Sequence, residues 1–350
     1  DDPVETFSIG FDYDEFDERS YARSVAERYG TDHHEFEVTS SIRELLPDLI
    51  QHFGEPFADS SAIPVYYVAR ETRREVTVAL TGDGGDELFG GYGLYEKMAW
   101  RQYLRRCTPG FARSTLASVA RRMPHTEEGR SWWNKGLLAL QYLGDPPSEW
   151  YAFLASYFSV NQLDSLFKDR PQGPTAPEFC RGGFEPYAHL NSEAEQAMAF
   201  DADRYLPEDL LLKVDIASMM NSLECRSPFL DRNVAELAAS LPFQFKMGRW
   251  AHSKKRILRE TFRADLPDAV LNHRKTGFGI PRDEWIRGEL NDYVRELLLA
   301  DNELFDEYFD QSFIRELVER HTNRKQSYGS QIWSLLVLGL WYETMDVRLP

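Results

Sequence analysis

Cysteine is scarce. The 350 residues hold three, Cys107, Cys180 and Cys225, odd in number and far apart. That spacing argues against a disulfide framework or a thiolate metal cluster and suits reduced thiols in a cytoplasmic protein. Long apolar runs are also missing. The longest near the C-terminus, Leu335 to Leu340, is far too short to cross a bilayer, and no secretory signal pattern is present. Positive charge is in deficit: 40 basic against 57 acidic residues leave a formal charge of −17. A nucleic-acid surface needs the opposite field. There is no internal repeat, low-complexity tract or heptad seam, which excludes solenoids and coiled coils. What remains is a 42% apolar chain able to bury a sizeable core as one large or two ordinary domains.

The first hundred residues alternate strand and helix signals. A strand over Val4–Phe11 leads to a helix over Glu18–Tyr29 with Gly30 as its stop. A strand His33–Val38 and a helix near Ser41–His52 follow, with Ser40 or Ser41 as N-cap. Next come a helix Ile63–Glu71, with Pro64 in its first turn, and a strand Val76–Leu80. This rhythm predicts an α/β fold, a parallel twisted sheet with flanking helices. Residues 1–92 form its α/β part. Residues 93–200 read as a large helical insertion whose Trp132, Trp133, Trp150 and Tyr151 pack inside. Residues 201–350 read as a helical remainder, with helices over Ala194–Tyr205, Glu208–Met220 and Gln331–Thr344.

The most informative stretch is Val76 to Tyr92. Its β-branched, aliphatic start predicts a strand buried on both faces. Gly82, Gly84 and Gly85 then allow a sharp turn and close approach to a ligand. Asp83, Asp86 and Glu87 in the same loop suit a metal ion beside a nucleotide, or proton transfer. Ligands in open parallel sheets sit at the strands' carboxyl ends, where this loop and Gly10 lie. Three further stretches carry polar chemistry. Lys213 and Asp215 lie two apart on a helix, so they face different sides and need separate partners. Arg274 and Lys275 stand in a glycine-flanked loop, as a lid cation or as an exposed basic turn. Asp59, Ser60 and Ser61 either cap the next helix or bind a small polar substrate.

Six ordered stretches together resemble the synthetase domain of glutamine-hydrolysing asparagine synthetases. They are Phe7 to Phe11, Glu55 to Pro64, Leu80 to Tyr92, Lys213 to Asp215, Ser222 to Asp231 and Lys275 to Pro281; Gln331 to Trp341 resembles that family's terminal helix. The insertion is the weakest part of the match. The resemblance implies an ATP-pyrophosphatase fold. With ATP and Mg2+, such a domain activates the side-chain carboxylate of aspartate as an acyl-adenylate, and ammonia then displaces AMP. Carried over, Ile9 and Gly10 match adenine-side contacts, and Thr81, Gly82 and Gly84 match the nucleotide loop. Asp83 matches an acid that orients or deprotonates ammonia, with Glu87 among the catalytic acids. Asp86 matches a magnesium ligand, and Lys275 the lysine that stabilises the adenylation transition state. Asp215 and Lys213 match pocket residues near substrate or pyrophosphate, and Asp59 and Ser60 are further candidates for the substrate pocket.

Two departures shape the expectation. The family's Ser-Gly-Gly-x-Asp-Ser pyrophosphate loop is not found ahead of Val4, and the glutaminase domain that supplies ammonia is not found either. The sequence therefore reads as a fragment of a longer enzyme, with small-molecule substrates, no nucleic-acid or membrane partner, and a homodimer as a possible assembly. An amidotransferase for another carboxylate, such as an exopolysaccharide-associated one, and a non-catalytic module are the alternative readings. A β-lactam-forming relative would carry Tyr in place of Asp83.

Overall fold

Two parallel strand pairs organise the α/β part of the molecule. The computed structural model describes residues 2–13, 17–38, 42–123, 132–248, 254–273 and 279–346, without the side chains of 132–135. Strand β1 (Glu5–Gly10) pairs in parallel with β2 (Asp32–Glu37), Glu5 opposite Asp32 and Gly10 opposite Glu37. The helix Arg19–Tyr29 makes the crossover that a parallel pair requires. It ends at Gly30, whose φ of 64° closes the last turn through an N–H bond to the Ala26 carbonyl. The Ser40 and Ser41 caps lie outside the described residues.

The second pair departs from the expectation. Strand β3 covers only Val78–Leu80, and it pairs in parallel with β4 (Glu224–Arg226), Val78 opposite Glu224. A stretch read from sequence as part of a helical remainder thus supplies a strand. Three residues form it, too few for a periodicity signal. Nor is β3 buried on both faces: Val78 is 39% and Leu80 74% exposed. Its apolar, β-branched composition is that of an interior strand, but among the described residues only β4 pairs with it.

Helices supply most of the packing. The helix Ile42–Phe53 buries Ile42, Leu45, Leu46, Leu49 and Ile50, an i, i+3, i+4 stripe. That stripe packs against the C-terminal helix Gly329–Thr344, which is apolar nearly all round and buries Ile332, Trp333, Leu336 and Leu340. The first hundred residues and the last seventy therefore share one core, which also takes in Ile9 and Phe11. A second core lies in the helical insertion, where Trp150 and Tyr151 join Tyr95, Met98, Phe184 and Phe200. Trp132 and Trp133 lie outside the described side chains.

A continuous helical rod runs between these bodies. Sequence reading places two helices here with a break near Pro207. Instead Glu193–Phe200 passes into a π-helix over Asp201–Leu211 and then into the α-helix Leu212–Met219. Pro207 removes an N–H and crowds the carbonyl four residues back in an α-helix; the wider π spacing relieves that clash without ending the rod.

Candidate active site

The acidic glycine loop leaves β3 at Thr81 and enters the short helix Gly85–Phe89. Gly84 makes the turn at φ 79°, and a Cβ there would stand 2.3 Å from Leu230 Cδ2. Only glycine meets both conditions without strain. Thr81 is anchored through its N–H to the Arg226 carbonyl at 2.8 Å, so β4 fixes the loop's origin. Thr81 Oγ1 donates to Asp83 Oδ2 at 2.7 Å. Asp86 pairs with Lys255 at 3.1 Å. Glu87 is 2% exposed and accepts a bond from the Tyr92 hydroxyl. Burial, and then the Glu87 charge, push the Tyr92 phenol well above its ordinary value, which keeps it a donor.

Opposite the loop, Lys213 projects from the rod. It is 4% exposed and pairs with Asp59 at 2.5 Å. Asp209, one turn back, stands 3.8 Å from the same ammonium. Asp59 also accepts from the Ser61 N–H at 2.9 Å, so the Asp59–Ser61 cluster both starts the helix Ala62–Thr72 and faces the pocket. Burial would raise the Asp59 carboxyl, but the Lys213 charge and the bonds from Lys213 and Ser61 hold it below its ordinary value. For Asp209 the balance reverses. Burial, then the Asp59 charge, push its carboxyl up to about 7 against the opposing pull of Lys213.

These elements enclose a cleft of about 720 Å³, lined by Asp59, Ser60, Gly82, Asp83, Gly84, Asp86, Glu87 and Lys213 among others. A second chamber of about 700 Å³ opens beside it, sharing Asp59, Tyr92, Lys97 and Tyr205 and adding Tyr151, Tyr157, Asp201 and Asp209. Each volume falls in the range of small-molecule sites. The first cleft is lined by five carboxylates (Asp59, Asp83, Asp86, Glu87, Glu96) and three ammonium groups (Lys97, Lys213, Lys254). A polyphosphate enters such a cleft only with a cation. Hard carboxylate oxygens at the loop suit magnesium, which needs only one or two of them beside phosphate and water. Asp86 is the best placed, because Lys255 already holds a cation against it.

Not every residue singled out from sequence comes to this cleft. Ile9 is packed in the first core, and Gly10 abuts Arg19 and Asp17, so neither lines the cleft. Asp215 is exposed and also stands off the lining; as the two-residue spacing implies, it faces away from Lys213. Lys275 lies outside the described residues, while Gly279, four positions on, lines the cleft. Sequence reading missed Asp209, Tyr205, Lys254 and Lys255. The first two had a readable signal: Asp201, Tyr205, Asp209 and Lys213 recur every four residues along one helical face. Lys254 and Lys255 had none.

A family model described as Asparagine synthase matches residues 1–343. The chain belongs to the asparagine synthase family. Asparagine synthetase (glutamine-hydrolyzing) 1 of Bacillus subtilis (strain 168) is 31% identical over 343 residues, which cover 97% of this chain and 52% of that protein. The protein named Putative asparagine synthetase (glutamine-hydrolyzing) of Mycobacterium tuberculosis (strain ATCC 25618 / H37Rv) is 31% identical over 346 residues, 96% of this chain and 50% of its own length. Asparagine synthetase (glutamine-hydrolyzing) 3 of Bacillus subtilis (strain 168) is 24% identical over 300 residues, 79% of this chain and 40% of that protein. The chain spans about half the length of the first two relatives. Family membership agrees with the parallel strand pairs and flanking helices. No helix among the described residues is long and apolar enough to cross a membrane.

Proposed function

We propose that this chain is the synthetase part of an ATP-dependent amide ligase that converts the side-chain carboxylate of aspartate to an amide. The observation that carries the reading is the meeting, around one 720 Å³ cleft, of the Gly82–Glu87 acidic loop with the Asp59–Lys213 pair, in a chain of this family. A substrate carboxylate oxygen attacks the α-phosphorus of ATP, and pyrophosphate leaves. Ammonia then attacks the acyl carbon, the acyl–oxygen bond breaks, and AMP departs.

Each residue has a task in this reading. The backbone of Gly82 and Gly84 admits the nucleotide closely, beside Thr81. Asp86 would hold magnesium in place of Lys255, and the ion would supply charge neutralisation for the phosphates. Asp83 takes the proton shed by the attacking ammonia, with Thr81 fixing its orientation. Glu87, locked by Tyr92, fixes the loop's entry into its helix. Lys275, carried over from the family resemblance, is the cation for the phosphates, and Asp59, Ser60 and Lys213 face the acid substrate. The roles of Ile9, Gly10 and Asp215 find no support in the cleft lining.

The test is pyrophosphate and AMP formation from ATP, magnesium and ammonium by the full-length protein that contains this chain. Aspartate is run against a panel of other carboxylates. Aspartate-dependent asparagine is the expected result. Turnover with a different acid moves the reading to a sister amidotransferase, which the second chamber favours because a free amino acid fills only a small part of about 700 Å³. Turnover with no acid leaves the non-catalytic module.

A further inference from the structure

The amino ends of β1 and β2 hold a second group of ligating side chains. Glu5 stands directly opposite Asp32 in the register, and His34, two residues beyond Asp32, stands opposite Phe7. Strand side chains alternate between faces, so Glu5, Asp32 and His34 share one. Like charges facing each other across two strands weaken the pairing. The sequence nevertheless sets two carboxylates there, with an imidazole beside both. His34 Nε2 lies 2.6 Å from Glu5 Oε2 and 3.8 Å from Asp32 Oδ1. One donor atom from each of the three falls within 4.8 Å of the other two. Among the described residues no other three such side chains meet so closely, so the meeting is not a by-product of an acidic composition. All three stand apart from the cleft and from the chamber beside it.

The imidazole is oriented before any ion arrives. Its plane lies nearly parallel to the Phe7 and Phe36 rings, at 16° and 9°. His33 gives the contrast. It points to the other face, and its two nitrogens meet the Thr6 and Ser8 hydroxyls at 2.9 and 3.2 Å. His34 directs its Nε2 at carboxylates instead. A divalent cation cancels the two carboxylate charges. Imidazole nitrogen beside carboxylate oxygen suits zinc, whereas magnesium takes oxygen donors. Zinc bonds of about 2.0–2.1 Å in a tetrahedron set donors roughly 3.3 Å apart. The two separations from Nε2 bracket that value, and rotations of the exposed carboxylates close the rest. The three side chains reach solvent, which supplies a water as fourth ligand.

We propose that Glu5, Asp32 and His34 form a zinc site that ties the start of β1 to the start of β2. The ion sits on His34 Nε2, with the ring hydrogen on Nδ1, and on one oxygen of each carboxylate. The hydrogen bond between His34 and Glu5 is given up, and the repulsion between Glu5 and Asp32 becomes shared attraction to the metal. Because a site bridging two strands exists only in the folded chain, its binding energy adds to the stability of this crossover unit. The ion takes no part in adenylation, so the inference is independent of the ligase reading.

The experiment is isothermal titration of the full-length, chelator-stripped protein with zinc chloride in excess magnesium, which fills the oxygen-only sites. Wild type is compared with His34→Phe, which keeps the ring stack but has no nitrogen, and with Glu5→Gln. Circular dichroism confirms that both variants fold. The expected result is a single zinc ion per chain in wild type, held about tenfold or more weakly by each variant, since losing a ligand costs no less than losing a group that merely supports one. Zinc should also raise the urea midpoint of wild type and leave that of His34→Phe in place. Zinc binding equal in wild type and His34→Phe is an adventitious ion only, and it overturns the site, as does no zinc binding by wild type. A wild-type midpoint that zinc does not move overturns the clamp. Pyrophosphate formation with magnesium alone should be the same in wild type and His34→Phe; its loss in the variant would overturn the separation of this site from the cleft.

Discussion

At the scale of single residues, the cleft is governed by groups whose charge or backbone has no slack. Lys213, itself buried, pairs with Asp59 and stands nearest to Asp209. Lys213→Met should destabilise the protein by ~3–5 kcal/mol, the usual consequence of stripping the partner from a buried charge; a fall in the urea midpoint measures it. Gly84 fails differently. Gly84→Ala places a side chain at positive φ against Leu230 and should cost about 1–3 kcal/mol, read as a lower melting temperature. Asp209 gives a pH signature. Its folded-state carboxyl titrates near 7, above an ordinary carboxylate. Between pH 4 and 7 the folded protein therefore holds a proton that the unfolded chain has lost, and this group makes stability fall as pH rises. The charged or titratable groups around it are Asp59, Lys213, Tyr157 and Tyr205. Asp209→Asn should be no more stable than wild type at pH 4 and more stable at pH 8; urea midpoints showing the opposite order would exclude the assignment. The loop acids and Lys213 were legible in sequence because charges in apolar company need a reason to be there. Asp209 was not, because its raised carboxyl follows from burial and from Asp59, which lies far away along the chain.

At the scale of elements, the two helices of the first core and the exposed strand respond oppositely to similar changes. Trp333, buried in the terminal helix, should cost ~3–5 kcal/mol on truncation to alanine. Leu80→Ser in β3 should fall within about 0.5 kcal/mol of wild type, because that side chain already faces solvent in this chain. Chemical denaturation of both variants checks the pair. The contrast marks where pattern reading holds and where it fails. The stripe Ile42, Leu45, Leu46, Leu49 and Ile50 names its buried face unaided. Val76 to Leu80 names a buried strand with equal clarity, but burial depends on neighbours, and among the described residues only β4 is paired with it. Pro207 misled in the opposite sense. A proline ends an α-helix, and the π-helix that carries the rod past it has no local sequence mark.

At the scale of the whole molecule, two cores and a rod place chemically unlike segments around one cavity. Asp59, the Gly82–Glu87 loop, Lys97, Lys213 and Lys254 are distant in sequence and share a lining. The net charge of −17 and the carboxylate excess of the lining oppose an incoming magnesium–nucleotide complex, which is itself anionic. Association of that complex should therefore accelerate as salt is raised from low to physiological ionic strength, since screening weakens the repulsion. Stopped-flow fluorescence of a labelled nucleotide reads this directly, and a rate that falls with salt would show that the cleft lysines dominate the field.

By itself the sequence determined the elements whose stability is local or periodic: the first crossover unit, the amphipathic helices, the glycine turn at the end of β3, and the acids that turn carries. Six motifs in order also determined the family, because each records a backbone or charge requirement that tolerates few replacements. Tertiary structure alone decided which of the marked residues meet. It set Asp59 on Lys213 and turned Asp215 to solvent. It packed Ile9 into the core, brought Lys255 to Asp86, and set Asp209 against Asp59. The division is physical. Helix and turn preferences act over a few bonds and are written in neighbouring residues, whereas desolvation and ion pairing depend on distances through space that only the assembled chain fixes.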